Sequence, residues 1–415
     1  MFGIGSATLY TNSLYLFFNT ALSSLLGFAF WTLAVRFYST AEIGLNSAII
    51  SIAGYLALIA TAGMRFALIR YYPEVERKHV FTNTYLVVAT VLGLVVTSIF
   101  VVGIGTWAPI LSSWNRNVWF IVLLVVFVVL NATSPIMEAA LIVNRAAKYV
   151  LAKNVVFGVL KIGLIVIAGV VASLSIMATW CIALLVSVVL AVWWFMPRAI
   201  ERYRLALHLD MGLLRETIGY SGSNHIVALL ASAPILLVPL LVVNVLGAEA
   251  NAYFYISWMI ANLLFSIPAS MSYILFSEGS ANDREMRTNI VRNYKMCFAL
   301  LVPGIAIVFL LGQWILGIFG TEYAANAVPL LRILAVSVLP LVVVDTQTAI
   351  YRVRKQMGKL IMAWGIIAGV TLAGGYMLMP MYGILGIGYA WMGANLVVLP
   401  MLFIGGKHES TVDTN

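Results

Sequence analysis

The chain has 415 residues, 63% hydrophobic and 9% charged, with a mean hydropathy of +1.02 and a formal net charge of +9. An ordinary soluble domain carries about 25% charged residues, so a soluble globule is excluded. The positive charge lies in short loops between apolar runs, which points to membrane topology and away from a nucleic-acid partner.

Runs of about 20 apolar residues each suffice to cross a ~30 Å hydrocarbon core. Lipid offers no hydrogen bonds to bare backbone, so every span is expected to be helical. Twelve segments are predicted, near 8–35, 43–69, 84–105, 118–143, 149–171, 174–195, 218–246, 250–276, 294–318, 327–350, 359–379 and 384–404. No basic stretch precedes the first run, so no cleavable leader is expected. Six segments fall in each half, which orients both halves alike. The fold class expected is an all-α polytopic membrane protein of twelve transmembrane helices in two parallel six-helix repeats. Its divisions are an N-terminal lobe (1–197), a cytoplasmic linker (198–217), a C-terminal lobe (218–406) and a cytoplasmic tail (407–415).

Of the 24 lysines and arginines, 19 lie in alternate loops or in the tail, while the opposite loops hold only Arg36 and Arg116. The positive-inside rule then puts both termini in the cytoplasm, as expected of a multi-pass protein of a prokaryotic cell membrane. Cys181 and Cys297 sit in apolar runs and are expected as packed free thiols. An ungapped offset of 207 residues superposes Ala41-Glu42 on Ala248-Glu249, Trp107 on Trp314, Glu138 on Asp345 and Arg145 on Arg352, the mark of a tandem duplication.

The fourth and fifth segments carry the ionisable groups of greatest interest. Such groups cost roughly 2.5–3.5 kcal/mol on insertion scales and usually face a cavity or a partner. Lys161 lies twelve residues past Tyr149, hence roughly 18 Å into the membrane at ~1.5 Å per residue. Glu138 is shallower, and Lys153 and Arg65 match its depth better than Lys161 does. Asn154, Gly158 and Lys161 share one helical face, as do Asn131, Ser134 and Glu138 on the preceding segment. A polar seam with a mid-membrane cation follows: Lys161 lines a solvated substrate cavity, or else is a structural lysine that snorkels.

The linker mixes arginines with leucines, suiting either an amphipathic segment lying on anionic lipid or a solvated tether. The seventh segment opens with the polar GYSGSNH, which includes Asn224 and His225; the plainer role for His225 is capping or packing. Pro234, Pro239, Pro268, Pro303 and Pro340 each have the means to kink or break a helix, although proline is simply commoner in membrane helices. Asp345 binds a coupling cation, H+ or Na+, or pairs with Arg352, the plainer role. No phosphate loop, HExxH, CxxC or GxSxG motif occurs. The short outer loops disfavour a membrane glycan polymerase or ligase, so no catalytic residue, metal or cofactor is expected.

Three stretches, RFYSTAEIGLNSA (36–48), IFGTEYAANAVPLLRILA (318–335) and LMPMYGILGIGYA (378–390), resemble the polysaccharide (Wzx-type) flippase branch of the multidrug/oligosaccharidyl-lipid/polysaccharide (MOP) exporter superfamily. The resemblance spans nearly the whole chain, although twelve segments set it apart from a lipid II flippase with fourteen. It implies a MOP/MATE-like pair of six-helix lobes around a cavity. The implied activity is movement of a polyprenyl- or dolichyl-linked oligosaccharide to the outer leaflet by alternating access, with membrane lipid and glycan polymerases or glycosyltransferases as partners. A phosphate or pyrophosphate bridge would suit Lys161, helped by Arg65. The alternative within the superfamily is a cation-coupled drug exporter, which needs a deep acidic site; Glu138 and Asp345 are both expected to be shallow.

Overall fold

The computed structural model describes residues 3–171, 175–207, 209–281 and 286–403; Arg284 and the tail with Lys407 lie outside them. The described chain is helical almost throughout. In order come α1 (Gly3–Phe37), α2 (Thr40–Ala60), α3 (Met64–Tyr71), α4 (Lys78–Val102), α5 (Ile104–Trp107), α6 (Val118–Val143), α7 (Ala147–Val171), α8 (Ile176–Leu190) and α9 (Met196–Ala199), then α10 (Met211–Leu246), α11 (Ala248–Ala281), α12 (Met286–Gly317), α13 (Thr321–Val353), α14 (Met357–Tyr382) and α15 (Leu385–Phe403). Among the described residues twelve helices are long and apolar enough to cross a membrane, matching the twelve expected.

The boundaries differ where backbone geometry overrides hydropathy. The second segment ends at Ala60, not near 69, because Ala62 and Gly63 adopt left-handed φ values of 42° and 73°. Both are incompatible with a continuing right-handed helix. Arg65 therefore sits on the separate short helix α3. Conversely, α4, α12 and α13 begin at 78, 286 and 321, six to eight residues before the apolar runs start. Backbone hydrogen bonding propagates through polar residues as readily as apolar ones, and the headgroup layers accommodate them. All five prolines named above lie inside continuous helices, so none of them breaks one.

The chain divides into two compact units, Met1–His225 and Ile226–Asn415. In the first, α6 packs on α2, α3, α4 and α8, and α7 joins α1 to α8. In the second, α13 is central, packing on α11, α12 and α15, while α14 pairs with α15. Cys181 and Cys297 are buried free thiols, as expected.

The three stretches that carry the family resemblance do architectural work. Ser39 and Glu42 form a reciprocal capping box at the start of α2. Asn46, one turn on, donates to the Glu42 carbonyl at 2.9 Å and accepts from the Met177 N–H at 3.1 Å, capping α8. The second stretch repeats the local device: Asn326 donates to the Glu322 carbonyl at 2.9 Å. In the third, Gly383 has φ of 57°, and a Cβ on Gly386 would lie 2.6 Å from the Leu378 carbonyl carbon. Backbone cannot yield as a side chain can. Gly386→Ala is therefore expected to cost about 1–3 kcal/mol by overpacking. Gly158→Ala, whose Cβ would meet only the Leu26 side chain at 2.5 Å, should cost less. Thermal melting of the two purified variants checks the order.

The duplication recurs in geometry with a shifted register. Arg145 and Lys355 hold the same left-handed position, φ 56° and 55°, at the ends of α6 and α13. In each turn the next residue's N–H reaches back five residues, Ala146 to Leu141 and Gln356 to Tyr351. These equivalent sites are 210 residues apart, so Arg352 lies one helical turn before the true counterpart of Arg145. The linker is helical only at its ends, where α9 finishes and α10 begins, and the described residues between them are held against α4. Asn83 donates to the Arg204 carbonyl at 2.7 Å, the Asp210 N–H to Thr84 Oγ1 at 3.1 Å, and Tyr85 to Thr217 Oγ1 at 2.6 Å, all on the start of α4. Tyr203, within the linker, is itself buried, and burial pushes its phenol well above the ordinary value.

Candidate functional site

Lys161 is 5% exposed and stands just past the middle of α7. With Asn154 and Gly158 it lines a cavity of about 410 Å³, the face predicted from their spacing. The opposite wall is α1, which contributes Asn19, Thr20, Ser23 and Ser24. Asn154 donates to Asn19 Oδ1 at 3.0 Å, and the Ala147 N–H donates to Asn12 Oδ1 at 3.1 Å, so amides tie the two helices together. The α1 wall was missed in sequence, although the polar run NTALSS (19–24) inside an apolar helix marks it.

Among the described residues no carboxylate pairs with Lys161. Its ammonium instead lies 5.1, 4.9 and 4.4 Å from the ring centroids of Phe30, Phe157 and Trp180. The cavity thus offers one positive charge, several neutral hydroxyls and amides, and no acid. Chemically it is suited to an anion with hydroxylated neighbours.

The acid and the second lysine of this region are satisfied elsewhere. Lys153, 1% exposed on its side chain, pairs with Glu138 at 2.7 Å and donates to Ser134 at 2.6 Å. Lys153 is the partner that depth favours for Glu138. Ser134 and Glu138 therefore form a pin between α6 and α7, apart from the cavity of Lys161. Asn131 donates to its own helix, to the Phe127 carbonyl at 2.8 Å. Arg65 is exposed, its guanidinium carbon 4.9 Å from the Phe66 ring. Asn224 and His225 are half-buried on α10, His225 bonded to the Ile59 backbone with Nδ1 buried and unpartnered among the described residues. None of Glu138, Asn131, Arg65, Asn224 and His225 lines the Lys161 cavity.

The basic turn of residues 144–148 is pinned from below. Asn144 donates to Tyr72 Oη at 2.6 Å and to the Ala140 carbonyl at 2.7 Å. Burial raises the Tyr72 phenol above its ordinary value, and its hydrogen bonds oppose that rise.

In the second unit Asp345 is 8% exposed. It makes no ion pair with Arg352 among the described residues, although both line one cavity of about 190 Å³ with Ser272, Thr348 and Trp364. Ser272 Oγ is buried there with no partner among the described residues. Asn293 next door donates to Thr346 Oγ1 at 2.9 Å.

No protein-family model and no curated protein sequence matches the chain. Solved structures do. The inward-facing conformation of a multidrug resistance MATE family transporter of the MOP superfamily aligns with a TM-score of 0.69 at 13% identity, over 94% of this chain and 96% of that one. The lipid II flippase MurJ, in an inward closed conformation, aligns with a TM-score of 0.74 at 14% identity, over 94% of this chain and 86% of that one. A MATE in complex with MaL6 aligns with a TM-score of 0.63 at 14% identity, over 95% and 94%. Likeness at such low identity establishes architecture alone: the described chain is all-helical, with twelve candidate spans, and its fold is similar to those of MATE transporters and the MurJ flippase.

Proposed function

We propose that the chain is a multi-pass membrane transporter that flips a lipid-linked oligosaccharide, joined to its polyprenyl or dolichyl carrier through phosphate or pyrophosphate, from the cytoplasmic to the outer leaflet by alternating access. One observation carries the reading: a lysine at mid-helix, with no carboxylate partner among the described residues, faces a cavity whose other polar lining is neutral hydroxyls and amides, beside Leu26 and Phe157. A buried cation without an acid is costly, and a phosphate group supplies the missing charge through charge-assisted hydrogen bonds. Sugar hydroxyls match Asn19, Ser23, Ser24 and Asn154. The volume of about 410 Å³ falls in the range of small-molecule sites. A lipid II flippase among the structural neighbours supports the same reading. The loops rich in lysine and arginine face the cytoplasm in this reading, and a glycan polymerase or glycosyltransferase would act beside the transporter.

The test is reconstitution. Purified protein in vesicles should move a fluorescent polyprenyl-pyrophosphate oligosaccharide between leaflets, read by its accessibility to an external quencher; no transfer above protein-free vesicles would overturn the reading. A charge crossing 100 mV is worth about 2.3 kcal/mol, so an imposed inside-negative potential should speed outward flipping unless the Lys161 ammonium travels with the phosphate.

Asp345 favours a second reading, cation-coupled export of a small molecule, because it is a buried acid that lines a cavity and, although Arg352 lines it too, makes no ion pair among the described residues. Asp345→Asn separates the two. Under flipping it should change the rate by no more than about twofold, whereas under coupled export efflux driven by a Na+ or H+ gradient should fall at least tenfold, roughly 1.4 kcal/mol.

A further inference from the structure

The surroundings of Lys161 are unusual for a group that awaits an anion. Its ammonium is enclosed by three ring faces drawn from three helices, Phe30 on α1, Phe157 on α7 and Trp180 on α8. Trp180 meets Phe30 at 5.6 Å and 77°, and Phe157 at 5.7 Å and 82°, so the rings stand edge to face around one point. Ring faces carry negative charge density, and such an enclosure is the arrangement that recognises alkylammonium ligands.

We propose that the Phe30–Phe157–Trp180 box is an organic-cation site that Lys161 fills from within the chain, so that the cavity accepts anions and shuts out cations. A tethered ligand competes at an effective concentration that a free ligand in solution does not readily match. An incoming cation also meets the repulsion of the ammonium in a poorly screened space. An anion meets neither obstacle: it approaches the exposed side of the ammonium while the rings hold the other. Lys161 thus sets the sign of the cargo. The inference deepens the anion-receptor reading, and its test reads cation binding directly, so the two fail independently.

The side-chain atoms lost in Lys161→Ala correspond to n-propylammonium, which is therefore the probe. In purified protein, titration calorimetry should show no saturable binding of n-propylammonium to the wild type. Lys161→Ala should bind it at least tenfold more tightly, and Lys161→Ala/Trp180→Ala should lose at least tenfold of that gain. Equal binding to the wild type and Lys161→Ala overturns the proposal. So does absent binding to a Lys161→Ala protein with unchanged helicity, or equal binding to the double variant. If Lys161→Ala fails to accumulate, n-propylammonium in the growth medium should restore its level to within about twofold of wild type; no restoration overturns the proposal as well.

Discussion

Lys161→Ala should reduce export of a lipid-linked glycan by roughly ten- to a hundredfold while leaving the protein in the membrane. The magnitude follows from losing one charge-assisted contact to phosphate, about 1.5–3 kcal/mol, at 1.4 kcal/mol per tenfold. Stability should change little, because two effects oppose each other. Removing a cation that is 5% exposed relieves a desolvation cost, and emptying the ring box forfeits cation–π attraction. Lys161→Arg should be intermediate: the charge remains, but a planar guanidinium does not fit a box shaped around an ammonium. Surface glycan per unit of membrane-embedded protein measures export by both variants, and thermal melting of the purified proteins measures stability. Normal export by Lys161→Ala would remove the cavity from the transport path.

The second large effect concerns the ion pair of Glu138 and Lys153, and its two single variants should differ. Glu138→Ala strands a lysine that is 1% exposed, and breaking a buried pair in this way costs about 3–5 kcal/mol. Lys153→Met strands a carboxylate that is 27% exposed, which water can reach and a proton can neutralise, so the loss should be nearer 1–2 kcal/mol. Replacing both, Glu138→Leu with Lys153→Met, should recover most of the stability, because a buried pair gains little over well-packed apolar residues. Thermal unfolding in detergent gives the cycle. Equal losses in the two single variants would mean that Ser134, which accepts from Lys153 at 2.6 Å, carries the contact instead.

The helical architecture was legible because hydropathy and the hydrogen-bonding demand of lipid act residue by residue. The cavity was half legible. Asn154, Gly158 and Lys161 follow from spacing on one helix, whereas Asn19, Thr20, Ser23 and Ser24 belong to a helix more than 130 residues away, and no local pattern says which helix it meets. The break after α2 escaped because hydropathy is blind to φ; only the glycine at 63 hinted at it. The repeat was legible in kind but not in register. Matching residue types put Arg145 opposite Arg352, while the fold conserves a left-handed turn position, filled by Arg145 and Lys355. Likewise Asp345 and Arg352 suggest a simple pair one to two turns apart, yet they line a shared cavity with no ion pair between them among the described residues.

The amide and hydroxyl face of α1 has a consequence for synthesis. Asn12 and Asn19 find their partners, Ala147 and Asn154, 135 residues later in the chain. At about 5–20 residues per second the ribosome needs roughly 7–27 s to make that stretch. For that interval the first helix has no α7 to meet Asn12 and Asn19, so these amides would need shelter from the acyl chains, supplied by the insertion machinery or another chaperone, until their partner emerges.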